Sequence, residues 1–413
     1  MAAKLGDLIY SRIGELARIS DDPDRLTRVY LSPAHKQAVG LVAQWMRDAG
    51  MSVRIDGTGN VVGRREGSAP NAPALLIGSH IDTVRDAGRF DGCLGVLTAI
   101  AVVDELAARQ VVHPFAIEVI AFGDEEGVRF SSALGGSRAV AGTFDPAVLD
   151  ERDEQGISRR QALVAFGCEP DAIAQEARTA ATALGYVEVH IEQGPVLEAE
   201  DLAVGVVTAI SGATRGVVEV AGQSGHAGTV PMHGRRDALA AAAEMVLAVE
   251  ARAQGEPDLV ATVGRLALTN AAGNTIPGKV QFSLDVRAPI DAQRATAVAD
   301  IKVAVARIAA DRNVGAQVTL THDAPATPCD ARLMQLLSNG IEGIGLRVCQ
   351  LPSGAGHDAM AFRGRLPLAM LFVRCEGGIS HNPAEHASTA DIGVAARVLL
   401  SFLDSYAREY RGR

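Results

Sequence analysis

"FAIEVIAFGDEEGVRF", residues 115–130, decides the fold. Its first half, with Ile117, Val119, Ile120 and Phe122, reads as a buried strand. Its second half puts Asp124, Glu125 and Glu126 at the strand's exit, where open α/β sheets place their ligands. Three carboxylates this close repel one another unless a cation holds them together.

The neighbouring segments repeat the pattern. "APALLIGSH" is a second buried strand ending at His80, and "CLGVLTAIAVVDELAARQ" is an apolar helix between the two strands. That strand–loop–helix–strand order predicts a mostly parallel sheet. Residues 1–50 carry apolar positions at helical spacing, "MSVRIDGTGNVVGRREG" alternates like a hairpin, and the alanine-rich stretch 159–184 predicts a helix. "YVEVHIEQGPVLE" is a further strand, running into His190.

The texture changes after residue 212. From 213 to about 325 the pattern reads strand, helix (237–253), strand (259–269), strand (279–288), helix (291–312), strand (316–322). Two helices against a small, largely antiparallel sheet make an α+β module of ferredoxin-like content. The α/β texture then returns and ends in an amphipathic helix over 389–409. The expectation is an α/β catalytic domain over 1–212 and 327–413, interrupted by an inserted α+β domain over 213–326.

The 413 residues suffice for two or three domains of about 150 residues. A net charge of −10 argues against nucleic-acid and anionic-membrane partners. The N-terminal stretch lacks the apolar core of a signal peptide, and no run reaches the about 18 apolar residues of a membrane span. Five scattered cysteines without a C-x-x-C pair read as free thiols, so a cytoplasmic location is expected.

Three other stretches offer ligands for the cation. "GSHIDTVRDAGRFDG" carries His80, Asp82 and Asp91; "VEVHIEQG" carries His190; "GGISHNPAEH" carries His381, with His386 behind it. Nitrogen and oxygen ligands without cysteine suit one or two divalent ions of the Zn/Mn/Co type rather than a structural zinc.

Together with "DEEGVRF", "HIEQGPVLE", "GHAGTVPM", "GNTIPGKV…LDVR" and "SGAGHDA", these stretches resemble the di-metal amidohydrolases of allantoate and N-carbamoyl-L-amino acids. That family is a branch of the metallo-aminopeptidase-like and aminoacylase-like hydrolases. The motifs run from about residue 60 to 390 in family order.

The resemblance implies two divalent ions per subunit (Mn2+, Zn2+ or Co2+), an aminopeptidase-like catalytic domain, and a homodimer formed through the inserted dimerisation or lid domain. By analogy Asp91 bridges the ions, His80 and His190 complete one site, and Glu126 and His381 complete the other. Asp82 resembles the acid that fixes an imidazole's tautomer. Glu125 is the implied general base, and Asp124 is left as a solvated or hydrogen-bonded acid. His226 resembles the histidine that crosses the dimer interface to stabilise the oxyanion. Asn274 and Arg287 resemble the pair that grips a substrate carboxylate and Gln193 the reader of a ureido group; Gly356 and His357 are expected at the pocket, with packing an equal reading of His357. His233 and His386 read as surface residues, Cys93 as a small filler.

The implied substrate is a small carboxylated ureido compound. "IDTVRDAGRFDG", "AFGDEEGVRF" and "GHAGTVPM" look closer to the allantoate branch; the N-carbamoyl branch more often has Asn at the position of Gly225. Alternatives are an N-carbamoyl-L-amino acid hydrolase, an aminoacylase or dipeptidase on the same scaffold, and a silent metal-binding module. Glu125 argues against the last, since a silent site needs no base beside a ligand.

Overall fold

The computed structural model describes residues 2–411. Residues 1, 412 and 413, at the outer edges of the expected domains, lie outside them. The chain divides into two compact units. Met1–Thr208, Cys329–Leu351 and Gly356–Arg413 form the first; Ala209–Pro328 and Pro352–Ala355 form the second.

Four parallel strands make the centre of the first unit's sheet, in the order Ala116–Phe122, Ala74–His80, Ala183–Ile191, Leu368–Val373. Antiparallel strands flank them: Val61–Arg65 then Ser52–Ile55 on one side, Val204–Ile210 on the other. Every residue of Ala74–His80, Ala116–Phe122 and Leu368–Val373 is buried, as a sheet covered on both faces requires. Helix Cys93–Ala108 packs on that sheet and also meets helices Ala2–Leu16 and Thr389–Arg411. Contact on both sides explains why it is apolar nearly all round. Helix Pro33–Asp48 starts on a Ser32 cap whose hydroxyl accepts the His35 N–H, with proline in its first turn.

Two expected helices are shorter than their composition suggests. In the first fifty residues the helices are Ala2–Leu16 and Pro33–Asp48. Between them the "SDDPDR" stretch folds on itself, with Ser20 Oγ bonded to the Arg25 carbonyl and the Thr27 N–H. In 159–184 the α-helix covers only Arg159–Phe166, and a short 3-10 helix follows over Pro170–Glu176. Gly167, at φ 101°, ends it as a left-handed cap, and strand pairing claims the chain from Ala183.

In the second unit, strands run antiparallel in the order Leu266–Leu268, Lys279–Ala288, Gly212–Ala221, Gly315–Ala324, with Val260–Thr262 also pairing Lys279–Ala288. The expected strand 259–269 is thus two short ones. Val218, Val220, Phe282, Leu284 and Val286 alternate inward and pack on Met245 and Ile301 from helices Ala238–Ala253 and Asp291–Asp311. Among the described residues no helix is long and apolar enough to cross a membrane.

Candidate metal centre

Strand register assembles the first half of the site. His80 ends its strand opposite Phe122 of the parallel neighbour, and His190 lies one residue from the end of the next strand, opposite Phe372. The side chains therefore emerge at the carboxyl ends of the sheet. Asp91 joins them from the loop before helix Cys93–Ala108. That helix starts on Gly92 at φ 64°, where a Cβ would sit 2.5 Å from the His80 ring. Only glycine fits there.

Asp91 divides its two oxygens. Oδ1 lies 3.4 Å from His80 Nε2 and 3.1 Å from His190 Nε2. Oδ2 lies 3.2 Å from His381 Nε2, which is 3.7 Å from Glu126 Oε2. His80, Asp91 and His190, and likewise Asp91, Glu126 and His381, bring ligand atoms within 4.8 Å of one another; His80, Glu125 and Glu126 form a further such group.

The hydrogen bonds show what this donor set calls for. His80 Nδ1 donates to the Asp82 carbonyl and His190 Nδ1 to the Ile191 carbonyl, each at 2.9 Å. In the neutral rings both Nε2 atoms then carry lone pairs, and both face a carboxylate oxygen. Two acceptors face each other stably only with a proton or metal ion between them. Glu126 Oε1 and His190 Nε2 are buried without a hydrogen-bond partner, although Asp91 Oδ1 is close to the latter.

The titration behaviour points the same way. Burial pushes the Glu125 carboxyl well above its ordinary range; His80 opposes this, and Glu126, Asp358 and Asp82 add to it. Burial likewise raises Glu126 to about 7. His381 is raised to about 8, chiefly by its bond to Asp91. Each shift favours taking up positive charge. The donor set fits divalent ions.

Asp82 differs from expectation. Its main-chain carbonyl, not its carboxylate, fixes the His80 tautomer; the carboxylate stands 3.9 Å from Nδ1. That carboxylate instead accepts the N–H groups of Glu125 and Glu126, at 3.2 and 3.3 Å. Asp124 is fully buried and ion-paired with buried Arg159. Arg159 also donates to Ser132 and Glu151. Burial raises Asp124 to about 7 against the pull of Arg159.

Gln193, at φ 57°, donates from Nε2 to Asp91 Oδ2 (2.8 Å) and Ser380 Oγ (3.1 Å), while its Oε1 is buried without a partner. His357 is buried, with its ring centroid 4.5 Å from that of His190, and Gly356 is exposed. Glu188, His190 and His357 form another possible ligand group, but Glu188 already accepts Ser79 Oγ and the Ala359 N–H. His386 lies at the surface against Tyr10 and Phe90, partly exposed and 3.2 Å from Glu376; His233 is exposed.

The remaining expected residues belong to the second unit. His226 pairs with Thr275 in a short ladder, and the Ala227 N–H donates to the Asn274 carbonyl. His226 Nδ1 accepts the Gly228 N–H, so in the neutral ring Nε2 carries the hydrogen. Arg287 donates Nε and Nη2 to Asp285 and Nη1 to the Gly354 carbonyl. Sequence reasoning missed Arg159 and Glu385, the latter inside the quoted "GGISHNPAEH".

The pattern of the peptidase family M20/M25/M40 matches residues 76–405. An allantoate deiminase of Glycine max is 40% identical over 97% of this chain and 89% of its own. An N-carbamoyl-L-amino acid amidohydrolase of Geobacillus stearothermophilus is also 40% identical, over 95% of this chain and 97% of its own. The crystal structure of a hydantoinase/carbamoylase family amidase from Burkholderia multivorans superposes with a TM-score of 0.92 at 34% identity, covering 97% of this chain and 98% of that one. The chain belongs to the peptidase family M20/M25/M40, as an amidohydrolase of its hydantoinase/carbamoylase branch.

Proposed function

We propose that this chain hydrolyses a ureido C–N bond of a small carboxylated substrate, allantoate foremost, releasing ammonia and carbon dioxide and leaving ureidoglycine. The observation that carries this is the division of Asp91, one oxygen facing two histidines and the other a histidine and a glutamate. His80 and His190 would hold one ion and His381 and Glu126 a second, with Asp91 contributing to each. Bound there, ions of the Mn2+, Zn2+ or Co2+ type supply Lewis acidity and lower the pKa of water towards neutrality.

Glu125 takes the proton of the attacking water and returns it to the departing nitrogen. Burial and like charge favour its protonated form, which suits the second step. His226 offers its Nε2–H to the developing oxyanion. Gln193 offers its unpartnered Oε1 to a ureido N–H. Arg287 and Asn274 read the substrate's carboxylate. Asp285 and Gly354 engage three of the five guanidinium hydrogens, orienting the group and leaving two for that carboxylate.

N-carbamoyl-L-amino acids are the second substrate class, favoured by the equal identity to the Geobacillus stearothermophilus relative. Ammonia release from allantoate and from N-carbamoyl-L-amino acids, before and after chelation and Mn2+ addition, tests both. Release from allantoate in excess is expected; release from neither overturns the proposal.

The active form is a homodimer in which His226 serves the neighbour's site. Strand Gly315–Ala324 pairs on one side only and is largely exposed, the kind of edge that a second copy covers. Mixing Glu125→Gln and His226→Ala homodimers then recovers about 25% of wild-type activity, one good site in half the dimers. No recovery after confirmed exchange rejects the crossed arrangement.

A further inference from the structure

We propose that Glu385 is a positioning residue that sets the bridging carboxylate of Asp91 and frees its Oδ2 for the His381 half of the centre. The proposal rests on the metal-centre reading above. Glu385 is 2% exposed and follows His381 by four residues. Its Oε1 accepts two main-chain N–H groups, from Phe90 at 2.7 Å and from Asp91 at 3.1 Å. These amides lie just before helix Cys93–Ala108, in irregular buried chain that has no ladder to pair with. The loop closes tightly on the carboxyl: a Cβ at Gly88 would lie 2.2 Å from the Glu385 carboxyl carbon. The orientation of Asp91 is thus held by a residue 294 positions away.

The second oxygen controls a hydrogen. Ser380 Oγ lies 2.9 Å from Glu385 Oε2 and 3.1 Å from Asp91 Oδ2, and it accepts from Gln193 Nε2. A hydroxyl has one hydrogen to give. Given to Glu385, it leaves the Asp91 Oδ2 lone pair that Gln193 Nε2 does not take to whatever binds beside His381 and Glu126. Given to Asp91, it competes there.

Glu385→Gln separates the two tasks. The side-chain carbonyl still accepts from Phe90 and Asp91, because the flipped amide would set donors against donors. The NH2 group then faces Ser380 and donates to Oγ, which turns its hydrogen onto Asp91 Oδ2. Adding Ser380→Ala removes that hydrogen.

Calorimetric titration of the metal-free protein with Mn2+ tests the inference without substrate. Wild type takes two ions. Glu385→Gln weakens one of the two by about 10–100-fold, the usual scale for groups that orient metal ligands. The Glu385→Gln/Ser380→Ala double variant recovers most of the loss. The inference is overturned if Glu385→Gln binds both ions as wild type does. It is equally overturned if both ions weaken together with thermal stability and Ser380→Ala repairs nothing, since that is a merely structural role. Wild type that takes no ion overturns the metal-centre reading itself.

Discussion

The two sides of Asp91 are built by different means. On the Oδ1 side, His80 and His190 are buried, each ring is locked by a main-chain carbonyl, and both strands lie in the sheet centre. On the Oδ2 side, His381 is 50% exposed on a loop at φ 54°, and Glu126 follows the left-handed Asp124 at φ 71°. One side inherits its geometry from strand register, the other from loop hydrogen bonds. Register is cooperative and hard to perturb locally. Loop geometry depends on a few named bonds.

Chelation should abolish activity, with Mn2+, Co2+ or Zn2+ restoring it, and should show two phases. Metal analysis during the titration should find the His381 side emptying first. Simultaneous loss of both ions breaks the comparison. Next in size, Glu125→Gln should lower kcat by about 10²–10⁴-fold while metal content holds. Glu126→Gln should instead lower metal content, and near-normal turnover of Glu125→Gln removes it from the role of base.

The loop side should also be the side that mutation of its supports destabilises. Arg159→Ala leaves Asp124 as an unpaired buried acid and should cost about 3–5 kcal/mol in denaturant unfolding. Arg159→Ala/Asp124→Asn should return part of it. The most gradual effect concerns His35, buried against Tyr30 and Phe166 and lowered to about 3 by burial, with Arg28 adding. Between pH 6.5 and about 3 the unfolded chain binds a proton there that the folded protein does not. Its contribution is therefore complete above pH 6.5 and falls with pH below it, by up to about 1.4 kcal/mol per pH unit. His35→Asn should flatten that slope, and an unchanged slope assigns it to other groups.

This difference also governs what the sequence makes legible. Strand-borne residues such as His80 and His190 stand at the ends of apolar runs, so their emergence at one edge of the sheet follows from pattern. Glu125 and Glu126 are legible from their crowding, and the resemblance supplies their separate roles. Arg159 is not legible. It sits in a stretch that reads as an ordinary alanine-rich helix, and only tertiary packing brings it to Asp124. Glu385 is hidden for the same reason, its partners being main-chain amides that every residue carries. The Asp82 exchange between carbonyl and carboxylate is a matter of side-chain rotation, below the grain of any motif.

The sheet order has a consequence for synthesis. Strand Leu368–Val373 fills the place between Ala183–Ile191 and Val204–Ile210, and Ser380 meets Asp91 across 289 residues. A ribosome adding roughly 5–20 residues per second needs about 15–60 s to cover that distance. Until residues 368–381 emerge, a central strand of the nascent chain has an open edge and the acids around Asp91 lack His381. Folding of the first unit therefore waits, in its decisive step, for residues 368–381. A chain truncated before residue 368 lacks both a central strand and part of the metal centre, so incomplete products are left open to degradation rather than active.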